Sequence, residues 1–141
     1  MRTNRIFIMD KDYERIGCWG TKVSNAISSF SDKTITYIYP YEYYQYKDEV
    51  VQNNTEVMRW EINQLRDCDI VIVDLSTIRD EIDTHVELGV INAINSMGNK
   101  YIYVVGIGKS NTKNPWILQS VFHSEDTIKD MAKYISHYLL I

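Results

Sequence analysis

Short apolar runs alternate with longer amphipathic segments along the chain, and this alternation limits the fold more than any other feature. The run Asp69–Asp74 has four successive apolar residues between its two aspartates, which is typical of a strand buried on both faces of a parallel sheet. Segments of helical periodicity precede and follow it. The sequence therefore predicts an α/β three-layer sandwich, flavodoxin-like or Rossmann-like, around a five-stranded, mostly parallel sheet.

The same periodicity gives the approximate bounds of the elements. The predicted strands are Arg5–Met9, Thr34–Tyr39, Asp69–Asp74, Tyr101–Val105 and Val121–Phe122. The predicted helices are Glu14–Phe30, Gln52–Arg66, Asp83 or Thr84 to Met97, and Glu125–Leu140. No linker or internal repeat is visible, so residues 1–141 are expected to form a single domain. Ligands of such folds bind at the carboxyl ends of the strands, and candidate residues are expected there.

Composition excludes several classes of protein. The chain has 141 residues, 15 Lys and Arg against 19 Asp and Glu, and a formal net charge of -4, which disfavours binding to a nucleic-acid polymer or an anionic membrane. No apolar run approaches the roughly 20 residues that span a bilayer, and no signal peptide is evident, so we expect a cytoplasmic protein. Cys18 and Cys68 lack metal or disulfide spacing and are expected to be core thiols. The glycines Gly106 and Gly108 are too few to predict a phosphate loop.

Acidic residues follow the predicted third strand closely. They are Asp80, Glu81, Asp83 and Glu87. One interpretation is structural: Thr84 and Glu87 have the spacing of a capping box, and the helix dipole favours acidic residues at a helix start. The other is catalytic, because paired carboxylates perform acid, base and nucleophilic chemistry. The residues alone leave both interpretations open.

Three segments in order resemble the nucleoside 2-deoxyribosyltransferase family. They are Asp67-Cys-Asp69-Ile-Val-Ile-Val-Asp-Leu, Glu81-x-Asp83-Thr84-x-x-Glu87-Leu88-Gly89, and Lys100-Tyr-Ile-Tyr-Val-Val. The resemblance covers most of the chain. It implies transfer of a 2-deoxyribosyl group between nucleobases through a covalent intermediate, with no cofactor and no metal. The implied partners are a nucleoside and a nucleobase, and the implied assembly is a homo-oligomer, a dimer or dimer-based.

The resemblance also implies roles for particular residues. Glu87 corresponds to the family's nucleophile, and Glu61 to the proton donor for the leaving base. Glu81 stands where the family binds the sugar 5′-hydroxyl, and Gln45 where it contacts the base. Asp83 replaces a glycine of the family, which alters the sugar pocket.

Further substrate-binding positions are implied near both ends of the sequence. Phe7 replaces a family tyrosine on the first strand, and Tyr13 can wall the base pocket. Asn114 corresponds to a residue that a neighbouring subunit contributes to the sugar site, with Trp116 as an interface anchor. The tyrosines around Gln45, which are Tyr41, Tyr43, Tyr44 and Tyr46, are expected to stack on the base.

Three alternatives to the transferase remain open. An N-glycoside hydrolase acting on nucleosides or nucleotides would use the same carboxylates, with water as the acceptor. A non-catalytic nucleoside- or nucleotide-binding protein would keep the fold and lose turnover, and Asp83 favours this alternative. A third, purely structural interpretation assigns the acidic helix start to capping alone.

Overall fold

A computed structural model describes residues 3–9, 19–40 and 54–141, with the side chains of residues 54–57 excepted. The strands are β1 (Asn4–Ile8), β2 (Ile35–Ile38), β3 (Ile70–Asp74), β4 (Tyr103–Ile107) and β5 (His123–Glu125). The α-helices are α1 (Trp19–Phe30), α2 (Asn54–Asp67), α3 (Ile82–Ser96), α4 (Pro115–Leu118) and α5 (Ile128–Tyr134). A 3-10 turn at Ile78–Asp80 precedes α3, and a π-helical segment at Ile135–Leu139 continues α5.

The five strands form one parallel sheet in the order β2-β1-β3-β4-β5. Phe7 of β1 lies opposite Ile38 of β2 and Val71 of β3, so β1 and β3 are both interior strands. This order is the flavodoxin-like one, with its reversal at β1 and β3. The predicted fold class is confirmed.

Helices cover both faces of the sheet, because its strands are apolar on both sides. One core cluster joins Phe7 and Val71 to Leu65 of α2 and Leu88 of α3. The other core cluster lies on the opposite face, where α1 packs against α5. Within the described ranges, no helix has the length and apolar character needed to cross a bilayer.

Two predicted boundaries need correction. The fifth strand is His123–Glu125, not Val121–Phe122. Apolar character favoured the earlier pair, but the hydrogen-bonded ladder with β4 begins at His123, since polar residues are acceptable on a short edge strand. The last helix begins at Ile128, not Glu125, because Thr127 caps it: the Oγ1 of Thr127 accepts from the amide of Asp130 at 3.1 Å.

Candidate active site

Two glutamates are buried on neighbouring helices. Glu61 of α2 is 8% exposed and Glu87 of α3 is 5% exposed. They are the only acidic residues among the buried side chains of the described part of the chain. Burial of a carboxylate is costly, and acidic residues are rarely buried unless a partner or a function requires it. The pair is therefore the strongest candidate for a chemical site.

The packing of α2 and α3 brings the two carboxylates to the same region. The helices pack against each other on one face of the sheet. Each is followed by a parallel strand, so each runs from the carboxyl edge of the sheet toward the amino edge. At 1.5 Å per residue, Glu87 lies about 8 Å from the start of α3, and Glu61 lies about 10 Å from the start of α2. Both glutamates thus lie at similar depth on helices that pack against each other.

The start of α3 differs from the predicted capping box. The helix begins at Ile82, and Glu81 is its N-cap residue without a side-chain cap hydrogen bond. Thr84 is the third helical residue and is buried, so it cannot cap the helix. The capping interpretation of Thr84 and Glu87 is therefore wrong.

The observed start of α3 at Ile82 also changes how strongly the helix dipole acts on Glu87. Glu87 is the sixth residue of α3 and lies in its second turn, whereas the helix dipole acts mainly within the first turn. Asp83, which is exposed, is the acidic residue of the first turn. The dipole thus acts mainly on Asp83, and the environment of Glu87 is set by packing.

Hydrogen bonds fix the connection between β3 and α3. Asp74, at the carboxyl end of β3, accepts from the amide of Ser76 at 3.0 Å and from its hydroxyl at 2.6 Å. The Oδ1 of Asn111 accepts from the amide of Arg79 at 2.9 Å, which ties this connection to the segment after β4. A short connection held at both ends gives α3 a defined start.

His85, to which no role was assigned from the sequence, also positions α3. Its Nε2 lies 2.7 Å from the carbonyl oxygen of Ile78, so Nε2 is the protonated nitrogen that donates. The bond joins the 3-10 turn to the first turns of the helix. A lone histidine beside a helix start carries no local motif, so this contact could not be predicted from the sequence.

Of the other predicted site residues, Phe7 and Glu81 lie in the described part of the chain. Phe7 is completely buried on the sheet face that α2 and α3 cover, the same layer as Glu61 and Glu87. Glu81 is half-buried at the start of α3. Gln45 and Tyr13 lie outside the described residues, as do the tyrosines around Gln45.

Asn114 lies on the other flank of α3. It caps α4 by accepting from the amide of Trp116 at 3.0 Å. It also lines a cavity of about 320 Å³ between α3 and α4 with His85, Gly89 and Trp116. At 100° per residue, His85 and Gly89 lie roughly opposite Glu87 on the helix. Within one chain, the structure therefore does not bring Asn114 to the carboxylate pair.

Other chemical centres are not evident in the described part of the chain. Among those residues no three His, Cys, Asp or Glu side chains are grouped to hold a metal ion. The thiol of Cys68 is completely buried and donates to the carbonyl oxygen of Leu65 at 3.0 Å. Burial raises the pKa of this thiol to about 12. Cys68 is thus the core thiol that was expected, and Cys18 lies outside the described residues.

Comparison with known proteins supports the fold. No protein-family model matches the sequence, and no curated protein matches it. A solved structure of a conserved protein from Enterococcus faecalis is similar, with a TM-score of 0.69 and 12% identity over 98% of this chain and 100% of that chain. A 2-desoxiribosyltransferase from Leishmania mexicana is similar with a TM-score of 0.62 and 16% identity, over 97% of this chain and 99% of that chain.

These TM-scores, over nearly the whole of each chain, show a shared fold. The chain is an α/β three-layer protein whose fold is similar to that of a 2-deoxyribosyltransferase along nearly its whole length. In this chain the fold places two buried glutamates, Glu61 and Glu87, on helices that pack against each other.

Proposed function

We propose that the protein cleaves the N-glycosidic bond of 2′-deoxynucleosides and transfers the deoxyribosyl group to a second nucleobase. The observation that carries the proposal is the burial of Glu61 and Glu87 on adjacent helices of one layer. Two carboxylates beside one sugar ring are what glycosidic cleavage requires. The fold of the Leishmania mexicana 2-desoxiribosyltransferase supports the same reaction class.

Glu87 is the proposed nucleophile. Its carboxylate oxygen attacks C1′ of the sugar, and the bond from C1′ to the base nitrogen breaks with its electron pair leaving on the base. A covalent deoxyribosyl-Glu87 ester results. A nitrogen of the second base then attacks C1′ and displaces the carboxylate. Two displacements give net retention of configuration.

Glu61 is the proposed acid. The departing base carries the electrons of the broken bond, and a proton from Glu61 neutralises it. In the second half-reaction the same group recovers a proton from the incoming base. Because the two glutamates lie on separate helices, Glu61 can approach the substrate from the side of the base. Glu87 can approach it at C1′.

The other residues form the proposed substrate contacts. Glu81 binds the 5′-hydroxyl, and its carboxylate disfavours a 5′-phosphate by charge repulsion. Asp83 lies beside the sugar pocket at the first turn of α3. The base pocket is assigned to Gln45 and Tyr13. Phe7 stands where the family has a tyrosine that bonds the nucleophile, so Glu87 lacks that hydrogen bond. Asn114 is assigned to the sugar site of a neighbouring subunit, consistent with its place on the flank of α3 opposite Glu87 in its own chain.

The test is base exchange. Wild-type protein incubated with deoxyadenosine and free cytosine is expected to form deoxycytidine and adenine, measured by liquid chromatography. Glu87→Ala is expected to lower the rate by at least about 1000-fold, because the covalent intermediate cannot form. Glu61→Gln is expected to lower it by about 100-fold or more, because general acid catalysis is lost.

Glu125→Gln is the matched control, because Glu125 is a carboxylate on the edge strand β5 and its removal is expected to leave the rate unchanged. Circular dichroism verifies that each variant is folded. Exchange that survives Glu87→Ala would contradict the assignment of the nucleophile. Release of adenine without deoxycytidine would identify a hydrolase instead, and binding without either product would identify a nucleoside-binding protein.

A further inference from the structure

The connection from β3 to α3 ends at Glu81, and its path depends more on hydrogen bonds than on packing. Leu75 and Ile78 are buried, whereas the other residues of the range 75–80 are exposed. The amide of Leu75 continues the strand ladder by donating to the carbonyl oxygen of Ile107 at 3.0 Å. Beyond Leu75, the backbone follows a course that the sheet no longer determines.

One residue of a distant segment, Asn111, bonds this connection at two points. Its backbone amide donates to the carbonyl oxygen of Leu75 at 3.0 Å, and its side-chain Oδ1 accepts from the amide of Arg79 at 2.9 Å. The side-chain carbonyl of an asparagine is an acceptor that can replace a backbone carbonyl. Because a single residue supplies both bonds, the size of Asn111 sets the distance between these two backbone groups.

The bonded turn leads directly into Glu81. Arg79 is the middle residue of the 3-10 turn Ile78–Asp80, and Glu81 follows that turn. The amide of Glu81 donates to the carbonyl oxygen of Ile78 at 3.2 Å, and the carbonyl oxygen of Glu81 accepts from the amide of His85 at 3.2 Å. The position of the turn therefore determines the position of the Glu81 backbone.

The carboxylate of Glu81 is not used to cap α3. Glu81 is the N-cap residue, but its side chain makes no cap hydrogen bond, and the residue is half-buried. The carboxylate is thus available to a ligand. Its direction follows from the backbone of the turn that precedes it.

The bond of Asn111 to the turn acts on Glu81 more than on Glu87. Arg79 is two residues before Glu81, whereas Glu87 lies six residues after Glu81 in a part of α3 that buried Leu88 holds against the core. A misplacement of about 1 Å can lower the rate of an enzyme about 100-fold. Loss of the bond to Arg79 would therefore disturb the contact made by Glu81 and leave the nucleophile in place.

We propose that Asn111 is a positioning residue that sets the selectivity of the site for a free 5′-hydroxyl, because it holds the turn that presents Glu81. This proposal rests on the proposed function, in which Glu81 binds the 5′-hydroxyl of the sugar. Asn111 itself contacts no reacting atom in this proposal.

The first test compares two substrates that differ only in the 5′-hydroxyl, 2′-deoxyadenosine and 2′,5′-dideoxyadenosine, with free cytosine as the acceptor. The wild-type chain is expected to prefer 2′-deoxyadenosine by about 10-fold or more in kcat/KM, because a site built to bond a hydroxyl rejects the analogue that lacks it. Asn111→Ala is expected to lower this preference to about 3-fold or less. Its kcat/KM for 2′,5′-dideoxyadenosine is expected to stay within about 2-fold of the wild-type value, which a general loss of structure would not allow.

Two further variants test whether Asn111 acts through Glu81. Glu81→Ala is expected to abolish the preference, and the double variant with Asn111→Ala is expected to show no further change, because residues that act through one contact are not additive. Asn111→Asp keeps an oxygen acceptor for the amide of Arg79 and is expected to restore most of the preference. Asn99→Ala, the same substitution at an exposed position, is the matched control and is expected to keep the wild-type preference.

A second test does not read activity. Hydrogen exchange of the Arg79 amide, followed by nuclear magnetic resonance, is expected to be at least about 10-fold faster in Asn111→Ala than in the wild type, because this amide loses its acceptor. In Asn111→Asp and Asn99→Ala it is expected to stay near the wild-type rate.

An unchanged preference in Asn111→Ala would overturn the proposal, and so would an equal fall in kcat/KM for both substrates. An unchanged exchange rate of the Arg79 amide would overturn the role of Asn111 in holding the turn. A wild-type chain that exchanges no base with either substrate would instead contradict the proposed function. The exchange rate of the Arg79 amide would in that case still decide whether Asn111 holds the turn.

Discussion

Gly106 lies inside β4, where a side chain has no room. A Cβ built there would come within 2.5 Å of the Cδ1 of Leu75 and within 2.7 Å of its Cγ. Leu75 is buried and belongs to the connection that leads from β3 to α3. Gly106 therefore serves close packing beneath the candidate site. A glycine is favoured at Gly108 for a different reason, because the φ of +88° there is a backbone conformation that side chains disfavour.

The packing of Gly106 gives a prediction. Gly106→Ala is expected to lower the free energy of unfolding by about 1–3 kcal/mol, because the added methyl overpacks the core against Leu75. Urea denaturation monitored by circular dichroism measures the change. The double variant with Leu75→Ala is expected to be less destabilised than the sum of the two single variants. Strict additivity would show that the two residues do not compete for space.

Helix α3 is the element on which most of the functional reasoning depends. Its amino end is held by the contact of His85 with Ile78, and its carboxyl end by Asn95. The Asn95 side chain accepts from the amide of Ile102 at 2.7 Å and donates to its carbonyl oxygen at 3.0 Å. The side-chain amide of Asn95 thus pairs with Ile102 as the backbone of a neighbouring strand would. It fixes the helix relative to β4, and with it the position of Glu87.

Loss of this contact is predicted to loosen α3. Asn95→Ala is expected to destabilise the protein by about 1–3 kcal/mol, because the amide and carbonyl of buried Ile102 lose their partners. Chemical denaturation gives the value, and hydrogen exchange at α3 is expected to become faster. Asn99→Ala, at an exposed position of the same connection, is the control and is expected to change stability little. Equal effects of the two variants would contradict the role of Asn95.

Some residues of the candidate site could be predicted from the sequence, and others could not. The family resemblance pointed to Glu87 and Glu61, and both are buried on adjacent helices. The predicted bounds of α3, Asp83 or Thr84 to Met97, are within two residues of the observed Ile82–Ser96, and the 3-10 turn before the helix, which the distant Asn111 contacts, was not predicted. Contacts such as that of His85 depend on chain segments that only folding brings together.

At the scale of the whole molecule, Asn4 connects distant parts of the sequence. Its buried side chain donates to the carbonyl oxygens of Thr34 and Ile141 and accepts from the amide of Ile141 at 2.9 Å. It thus joins β1, the segment before β2 and the segment after the π-helical turn. These contacts close the layer opposite the candidate site.

Asn4→Ala is predicted to destabilise the whole fold by about 2–4 kcal/mol, because the amide and the carbonyl of Ile141 both lose the side chain that pairs with them. Thermal denaturation measures the effect, and protease digestion is expected to cleave near Ile141 sooner. Asn25→Ala, at an exposed position of α1, is the control. A variant of Asn4 as stable as this control would contradict its proposed role in closing the fold.

The fold class follows from the sequence alone, because alternating apolar periods are local properties of the chain. The same holds for which acidic residues follow the third strand. In contrast, tertiary packing places Glu87 in the second turn of α3 and Asn114 on the opposite flank, and it leaves Ile82, Val86 and Met97 exposed. Burial and exposure depend on how helices pack around the sheet, and no single segment of sequence contains that information.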